Sequence, residues 1–238
     1  MTDRTTETSP QVLAKIAGFL YLSLIPLGVF GILYVPSTLI VAGDAAATAN
    51  NIRASELLFR GGIVSSLLTQ IIFILLVLYL YQLLKPVNKN NALLMVAFVL
   101  IGVPIAMLNE INQFATLLLL SGADYLTAFD PDQLQTQVLL FLNLHRHGIF
   151  IAQIFWGLWL FPLGYLIFKS GFLPGILGVL LMIGCFGYVI DSATFFLFPD
   201  FSVNISQYTF IGELLLPLWL VIKGVDIEVW EKSALASA

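Results

Sequence analysis

A polar run, Asn109-Glu110-Ile111-Asn112-Gln113, interrupts the apolar segment 92–120, which is long enough to cross a bilayer. An ionised carboxylate near the centre of a membrane helix costs about 2.5–3.5 kcal/mol on insertion scales. Four polar side chains within five residues therefore need partners from elsewhere in the chain, and for Glu110 we expect Arg60, Arg146 or a His within reach of its carboxylate. They could line a site for a ligand, or they could hold helices together through hydrogen bonds.

The composition predicts an integral membrane protein. Of the 238 residues, 59% are hydrophobic and only 10% are charged, and the mean hydropathy is +0.97. Soluble domains carry about 25% charged residues. The Lys and Arg residues form no basic patch, which excludes a nucleic-acid-binding surface. The single Cys185 excludes an intramolecular disulfide and a cysteine-based metal site.

The apolar segments predict an all-α fold, a polytopic bundle of six transmembrane helices. The fourth segment is too long for one perpendicular crossing, so its first turns should lie outside the hydrocarbon. We expect one transmembrane domain over residues 12–223, between a disordered tail of residues 1–11 and a cytoplasmic tail of residues 224–238. The predicted spans are 12–35, 63–84, 91–120, 133–168, 176–198 and 207–221.

Four local features surround the first two spans. Asp44 is placed to cap a short helix, and Glu56 and Arg60 stand four residues apart in the acid-first order that favours an ion pair. The pair Gly61-Gly62 predicts a bend before the second span. Pro26 is able to kink the first span.

The basic residues predict the orientation, because loops on the cytoplasmic side are enriched in Lys and Arg. With both termini in the cytoplasm, the outer loops keep Arg53 and most of the Asp residues, while Arg60 and Arg146 stand at or near helix ends. We therefore expect a multi-pass protein of the cell membrane. The basic residues of the inner side are then Arg4, Lys15, Lys85, Lys89, Lys169, Lys223 and Lys232.

Depth along the helices groups the polar side chains in the outer half of the bilayer. At 1.5 Å per residue, Glu110 lies about 28 Å above the inner end of its span, and Asp191 lies about 24 Å above its own. Glu213 is deepest, at about 15 Å, in a hydrocarbon core about 30 Å thick. The candidate ligand-binding residues in this outer group are Arg60, Asn109, Glu110, Gln113, His145, Arg146, Gln153, Asp191 and Glu213.

The charges of this group do not balance. Glu110, Asp191 and Glu213 face the two permanent cations Arg60 and Arg146, so one negative charge is left over if the His side chains are neutral. A site of low dielectric then requires a protonated carboxyl group, a charged His or a bound cation.

A structural explanation of the same residues is open as well. Arg60 with Glu110 and Arg146 with Asp191 would be natural ion pairs that fix how the helices pack. His145 and His147 are two residues apart, about 200° around a helix, so both cannot point into one site. With no further His and no Cys cluster, we expect no metal and no cofactor.

Three segments of the chain have a recognisable pattern, which are Gly43–Ile52, Leu83–Asn88, and the stretch from Gly164 through Lys169-Ser170-Gly171, Pro174 and Leu177-Gly178 to Gly187–Ser192. In these segments the chain resembles the bacterial family known as domain of unknown function 4386. The resemblance covers nearly the whole chain and implies a six-span membrane protein, with no activity attached to it.

Three functions are consistent with this sequence. The first is a protein that binds or moves a small cationic or amphiphilic ligand, which enters an outward pocket. The second is a structural or signalling partner whose polar cluster is architectural. An intramembrane enzyme with Glu110 or Asp191 as acid or base ranks third, because the sequence contains no nucleophile motif or phosphate loop. The expected partners are the lipid bilayer and a small molecule; the oligomeric state is not predicted.

Overall fold

The computed structural model describes residues 9–198 and 204–236, and all regular structure within them is helical. The predicted all-α fold is therefore confirmed. Residues 1–8 of the predicted N-terminal tail and residues 199–203 of the last predicted outer loop lie outside the described residues.

The helices follow one another through short connections. In chain order they are α1 (Pro10–Gly28), a π-helical segment (Val29–Tyr34), α2 (Val35–Leu39), α3 (Ala45–Ala54), α4 (Glu56–Leu84), α5 (Lys89–Asn109), α6 (Ile111–Leu119), a 3-10 turn (Asp124–Ala128), α7 (Pro131–Leu158), α8 (Leu160–Ser170), α9 (Gly175–Leu197), α10 (Ser206–Thr209), α11 (Ile211–Ile222) and α12 (Ile227–Ala236).

These helices are those of a multi-pass membrane protein. Ser206–Ile222 is apolar but shorter than the other candidates, so the sixth predicted span is not confirmed. The described residues contain five stretches long and apolar enough to cross a membrane, which are Pro10–Leu39, Glu56–Leu84, Lys89–Leu119, Pro131–Ser170 and Gly175–Leu197.

The local predictions before the second span are confirmed in two of three cases. Asp44 caps α3, since its Oδ1 accepts a hydrogen bond from the Ala47 N–H at 2.8 Å. Arg60 Nε lies 2.7 Å from Glu56 Oε1 in the expected ion pair. The predicted bend at Gly61-Gly62 is wrong: α4 runs through both glycines, and Val35 packs closely against Gly62.

Three apolar helical stretches are each interrupted by a single residue. The breaks occur at Glu110, between α5 and α6, at Trp159, between α7 and α8, and at Phe210, between α10 and α11. At the first break the Glu110 N–H bonds the Met107 carbonyl, three residues back, instead of the usual four. The tightened turn therefore lies at Glu110, the acidic residue of this apolar stretch.

The chain divides into two compact units. The first unit draws on Met1–Ser23, Ile72–Gly102 and Gln153–Ala238, and the second unit on Leu24–Ile71 and Val103–Ala152. Four of the five long apolar stretches therefore contribute residues to both units, and Gly175–Leu197 contributes to the first unit alone. The single domain predicted for residues 12–223 stays a prediction.

The core of the first unit contains the buried Trp159. Its ring packs edge-on against Phe73, with the ring centroids 4.9 Å apart, and lies 5.8 Å from the ring of Tyr21. Helices α8 and α9 approach closely because Gly164 and Gly178 face each other. A Cβ atom on either glycine would meet the carbonyl oxygen of the other.

The two ends of the described chain meet in the first unit. The Gln11 amide donates to the Lys223 carbonyl at 3.1 Å and accepts from the Val225 N–H at 3.0 Å. The indole N–H of Trp230, on α12, donates to the Leu83 carbonyl at 2.8 Å. The predicted C-terminal tail thus contains a helix that is attached to the end of α4.

The second unit has a separate apolar core. It is built from α2, α3, the first turns of α4, α6 and the beginning of α7. Ser65 adds a hydrogen bond from its hydroxyl to the Leu27 carbonyl at 2.9 Å, between α4 and α1. The buried residues of this core are Val35, Leu39, Ile52, Phe59, Ile63, Leu117, Val138 and Leu142.

Candidate functional site

Glu110 is buried at the break between α5 and α6 in the second unit, with 3% of its surface exposed. Its Oε1 lies 3.2 Å from Nε2 of His145, on α7. Its Oε2 is buried and has no hydrogen-bond partner among the described residues. The prediction that Glu110 lies within reach of Arg60, Arg146 or a His is therefore confirmed for His145.

Two amide side chains hold His145 in place. Gln113 Nε2 lies 2.9 Å from His145 Nε2, the same ring nitrogen that faces Glu110. Asn109 donates from Nδ2 to the backbone carbonyl of His145 at 2.8 Å. Room for Asn109 comes from Gly148, one turn further along α7, where a Cβ atom would overlap the Asn109 amide. Four of the nine predicted site residues are thus brought together, from the end of α5, the break at Glu110, α6 and α7.

This group can hold a positive charge between an acid and an imidazole. The carboxylate oxygens and an unprotonated imidazole nitrogen supply acceptors for a proton or a small cation. Among the described residues, no group of three or more His, Cys, Asp and Glu side chains could hold a metal ion. The group resembles neither a zinc site nor a haem site.

The predicted arginines have other neighbours. Arg60 pairs with Glu56 rather than with Glu110, and both side chains of that pair are about half exposed. A local pair four residues apart forms without closing a long loop, and this explains why it prevails over the distant acid. Arg146 and His147 are exposed on α7, and each has an interaction partner. His147 Nδ1 contacts the Asn143 carbonyl at 2.7 Å, so the two His residues point to different surroundings, as predicted.

The remaining three predicted residues lie in the first unit. Asp191 accepts two backbone hydrogen bonds at the start of α10, from the Ile205 N–H at 2.6 Å and the Ser206 N–H at 2.9 Å. Gln153 donates to the Tyr188 carbonyl at 3.3 Å. The expected pairing of Arg146 with Asp191, across the two units, stays a prediction.

Glu213 has phenol groups as neighbours, which the sequence analysis did not anticipate. Tyr21 donates to Glu213 Oε2 at 3.2 Å, and Tyr188 lies close enough to interact with the same carboxyl group. Glu213 Oε1 is buried without a hydrogen-bond partner among the described residues. A useful signal was in the sequence: a tyrosine inside an apolar span carries one hydroxyl group that must bond to something.

The family model described as domain of unknown function (DUF4386) matches residues 16–224 of this chain. The chain belongs to the DUF4386 family. The match includes every member of the Glu110–His145 group and also Asp191 and Glu213. The resemblance inferred from the three sequence segments is thereby confirmed.

The DUF4386 chain also resembles an archaeal protein. An uncharacterised protein of Archaeoglobus fulgidus is 37% identical to it over 145 residues, which are 61% of this chain and 72% of the relative. A similar chain therefore occurs outside bacteria, in an archaeon. No solved structure matches the DUF4386 chain.

Proposed function

We propose that this DUF4386 protein binds a small monovalent cation at Glu110, inside its membrane-spanning helices. The observation that carries the proposal is the buried Glu110 Oε2, which has no hydrogen-bond donor among the described residues. An ionised carboxylate in a membrane-spanning segment is costly unless a positive charge accompanies it. A cation from the outer side would supply that charge. The proposal therefore specifies the small cationic ligand expected from the sequence as a monovalent cation.

We also propose that the protein crosses the cell membrane six times and has both termini in the cytoplasm. The distribution of Lys and Arg supports the orientation. As a sixth span, Ser206–Ile222 would be about 25 Å long, a few ångströms short of the hydrocarbon core. Local thinning of the bilayer accommodates a mismatch of this size at modest cost.

The test is cation-dependent stability of the purified protein in detergent. Sodium chloride or methylammonium chloride replaces N-methylglucamine chloride at constant ionic strength, and Tm is measured. Saturating a site at about 100 times its Kd stabilises the folded state by about 2.7 kcal/mol. We expect Tm of the wild type to rise with the cation and Glu110→Gln to remove the rise.

Glu213→Gln is the matched control, because Glu213 is another acid with a buried, unpartnered oxygen but belongs to the first unit. Its cation response should equal that of the wild type. A full response in Glu110→Gln, or no response of the wild type to either cation, would contradict the proposal.

An architectural role is the second candidate, and the Asn109–His145 hydrogen bond favours it. That bond joins α5 to α7 and would fix their packing without any ligand. If the role is architectural, Asn109→Ala lowers Tm while no cation changes Tm of the wild type. The two candidates therefore differ in the cation titration.

A further inference from the structure

Gln70, on α4 in the second unit, is a buried amide with an unused acceptor. Only 5% of the residue is exposed, and its Oε1 has no hydrogen-bond donor among the described residues. A buried polar atom without a partner is costly, so native structures rarely keep one without a reason. In the described part of this unit, Gln70 and Glu110 are the two residues that keep a buried oxygen of this kind.

The polar residues beside Gln70 on α4 have structural roles that Gln70 lacks. The Thr69 hydroxyl donates to the Ser65 carbonyl at 2.8 Å, within the helix. The Ser65 hydroxyl donates to the Leu27 carbonyl at 2.9 Å, between two helices. These bonds explain why both hydroxyl groups are tolerated among apolar residues. The Gln70 oxygen makes no such bond to a described residue, so its presence needs another explanation.

Ser66 lies one helical turn from Gln70, on the same buried face of α4. It is 7% exposed, and its Oγ lies beside Gly31, in the π-helical segment, where a Cβ atom would be 2.9 Å away from it. Because Gly31 has no side chain, the hydroxyl group keeps room next to it. Segments of π-helix are frequent at functional sites. We call Ser66 and Gln70 the inner polar pair.

The inner polar pair lies deeper in the helices than Glu110. Helix α4 ends and α5 begins at one short connection, so the depths of all three residues can be counted from it. At 1.5 Å per residue, Glu110 is about 32 Å from the start of α5, and Ser66 and Gln70 are about 27 and 21 Å from the end of α4. The three side chains therefore follow one another towards this connection in steps of about 5–6 Å.

We infer that the inner polar pair is a second, weaker site for the cation bound at Glu110, and that the protein thereby moves this cation across the membrane. The inference rests on the proposed function and adds transport to binding. Amide and hydroxyl oxygens are neutral acceptors, which hold a cation less firmly than a carboxylate does. Conduction requires several sites that bind strongly enough for entry and weakly enough for exit. Water bonds to the same groups, and polar groups of this kind mark ion pathways between apolar helices.

The experiment measures tracer exchange through the purified protein in phosphatidylcholine vesicles. Sodium chloride is present at the same concentration on both sides, and labelled sodium is added outside, so that exchange proceeds without net movement of charge. A parallel series with methylammonium chloride and labelled methylammonium distinguishes a metal cation from an organic ammonium ion. Vesicles without protein give the background, including the passage of neutral methylamine. We expect exchange above this background by the wild type.

Gln70→Leu keeps the size of the side chain and removes the amide oxygen. It should bind the cation in detergent as the wild type does, with Tm no lower, because the oxygen has no donor to lose. Its exchange rate should fall by about tenfold or more, since the second site is lost. Gln82→Leu is the matched control, because Gln82 is an exposed Gln on the same helix, and it should exchange at the wild-type rate. Ser66→Ala, a smaller change in the pair, replaces Gln70→Leu if that variant does not fold.

The second site and the Glu110 site fail in different ways. If Gln70→Leu exchanges the cation as fast as the wild type, the second site is overturned and the Glu110 site stands. A wild type that binds the cation in detergent but does not exchange it has the same meaning. An equal loss of exchange in Gln82→Leu, or lost binding in folded Gln70→Leu, also overturns the second site. Failure of the wild type to bind either cation overturns the inference together with the proposed function.

Discussion

The buried acids differ in how completely their oxygens are satisfied. Both Asp191 oxygens accept backbone N–H groups, whereas Glu110 and Glu213 each leave one buried oxygen without a donor among the described residues. A carboxylate that accepts several backbone hydrogen bonds stabilises the fold. An acid with a spare acceptor is available to a ligand. Asp191 is thus structural. Of the other two acids, Glu110 is the better candidate for binding, because an imidazole nitrogen lies beside it as a further possible ligand, whereas Glu213 has the hydroxyl of Tyr21 as a donor.

Asp191→Asn should therefore destabilise the protein without changing any cation response. Replacing the carboxylate by an amide removes one of the two charge-assisted hydrogen bonds at the start of α10, because an amide nitrogen does not accept, and it weakens the other, at a cost of about 1–3 kcal/mol. The measurement is Tm in detergent. Asp226→Asn is the control, since Asp226 is exposed and caps α12 through the Val229 N–H, and it should change stability by less than about 0.5 kcal/mol. Equal effects of both substitutions would contradict this assignment.

Some residue-level contacts could be predicted from the sequence because a simple rule applies to them. The Asp44 cap and the Glu56–Arg60 pair depend only on spacing, and the need of Glu110 for a partner follows from its apolar surroundings. The Tyr21–Glu213 contact escaped prediction, because a tyrosine in an apolar segment indicates that its hydroxyl group needs a partner but not which residue supplies it.

At the scale of helices, close packing in the first unit depends on glycine. Gly164→Ala would push a methyl group against the Gly178 carbonyl oxygen, and overpacking of this kind costs about 1–3 kcal/mol. Gly28→Ala is the control, because Gly28 is helical and has no atom within 4 Å of the position of an added Cβ. It should be neutral or stabilising by up to about 1 kcal/mol. Thermal unfolding of both variants tests this, and similar Tm values for the two would contradict it.

Most ends of the predicted spans lie within four residues of the observed helix ends, but α4 begins at Glu56, seven residues before the predicted second span, and the interruptions were not predicted. Nothing in the apolar pattern marks Glu110, Trp159 or Phe210 as a break, because membrane helices are apolar towards both lipid and protein. For the same reason the pattern does not determine which face of α5 meets α7. The prediction for the partner of Glu110 was consequently narrowed to two Arg residues and two His residues, and not to His145 alone.

At the scale of the whole molecule, the sixth span determines on which side of the membrane the C-terminus lies. A reporter after Lys89 or Lys169 should be cytoplasmic, and one at Asp130 should be extracytoplasmic, because the basic loops stay inside. A reporter at the C-terminus should also be cytoplasmic if Ser206–Ile222 crosses the membrane. An extracytoplasmic C-terminus would leave five spans, and a cytoplasmic Asp130 would overturn the orientation.

The central claim is that Glu110 binds a small cation, and an equilibrium binding isotherm tests it most directly. Labelled sodium or methylammonium is titrated onto purified wild type, Glu110→Gln and Glu213→Gln. We predict saturable binding of one cation per chain that is lost in Glu110→Gln and kept in Glu213→Gln. Equal binding by the wild type and Glu110→Gln would contradict the account.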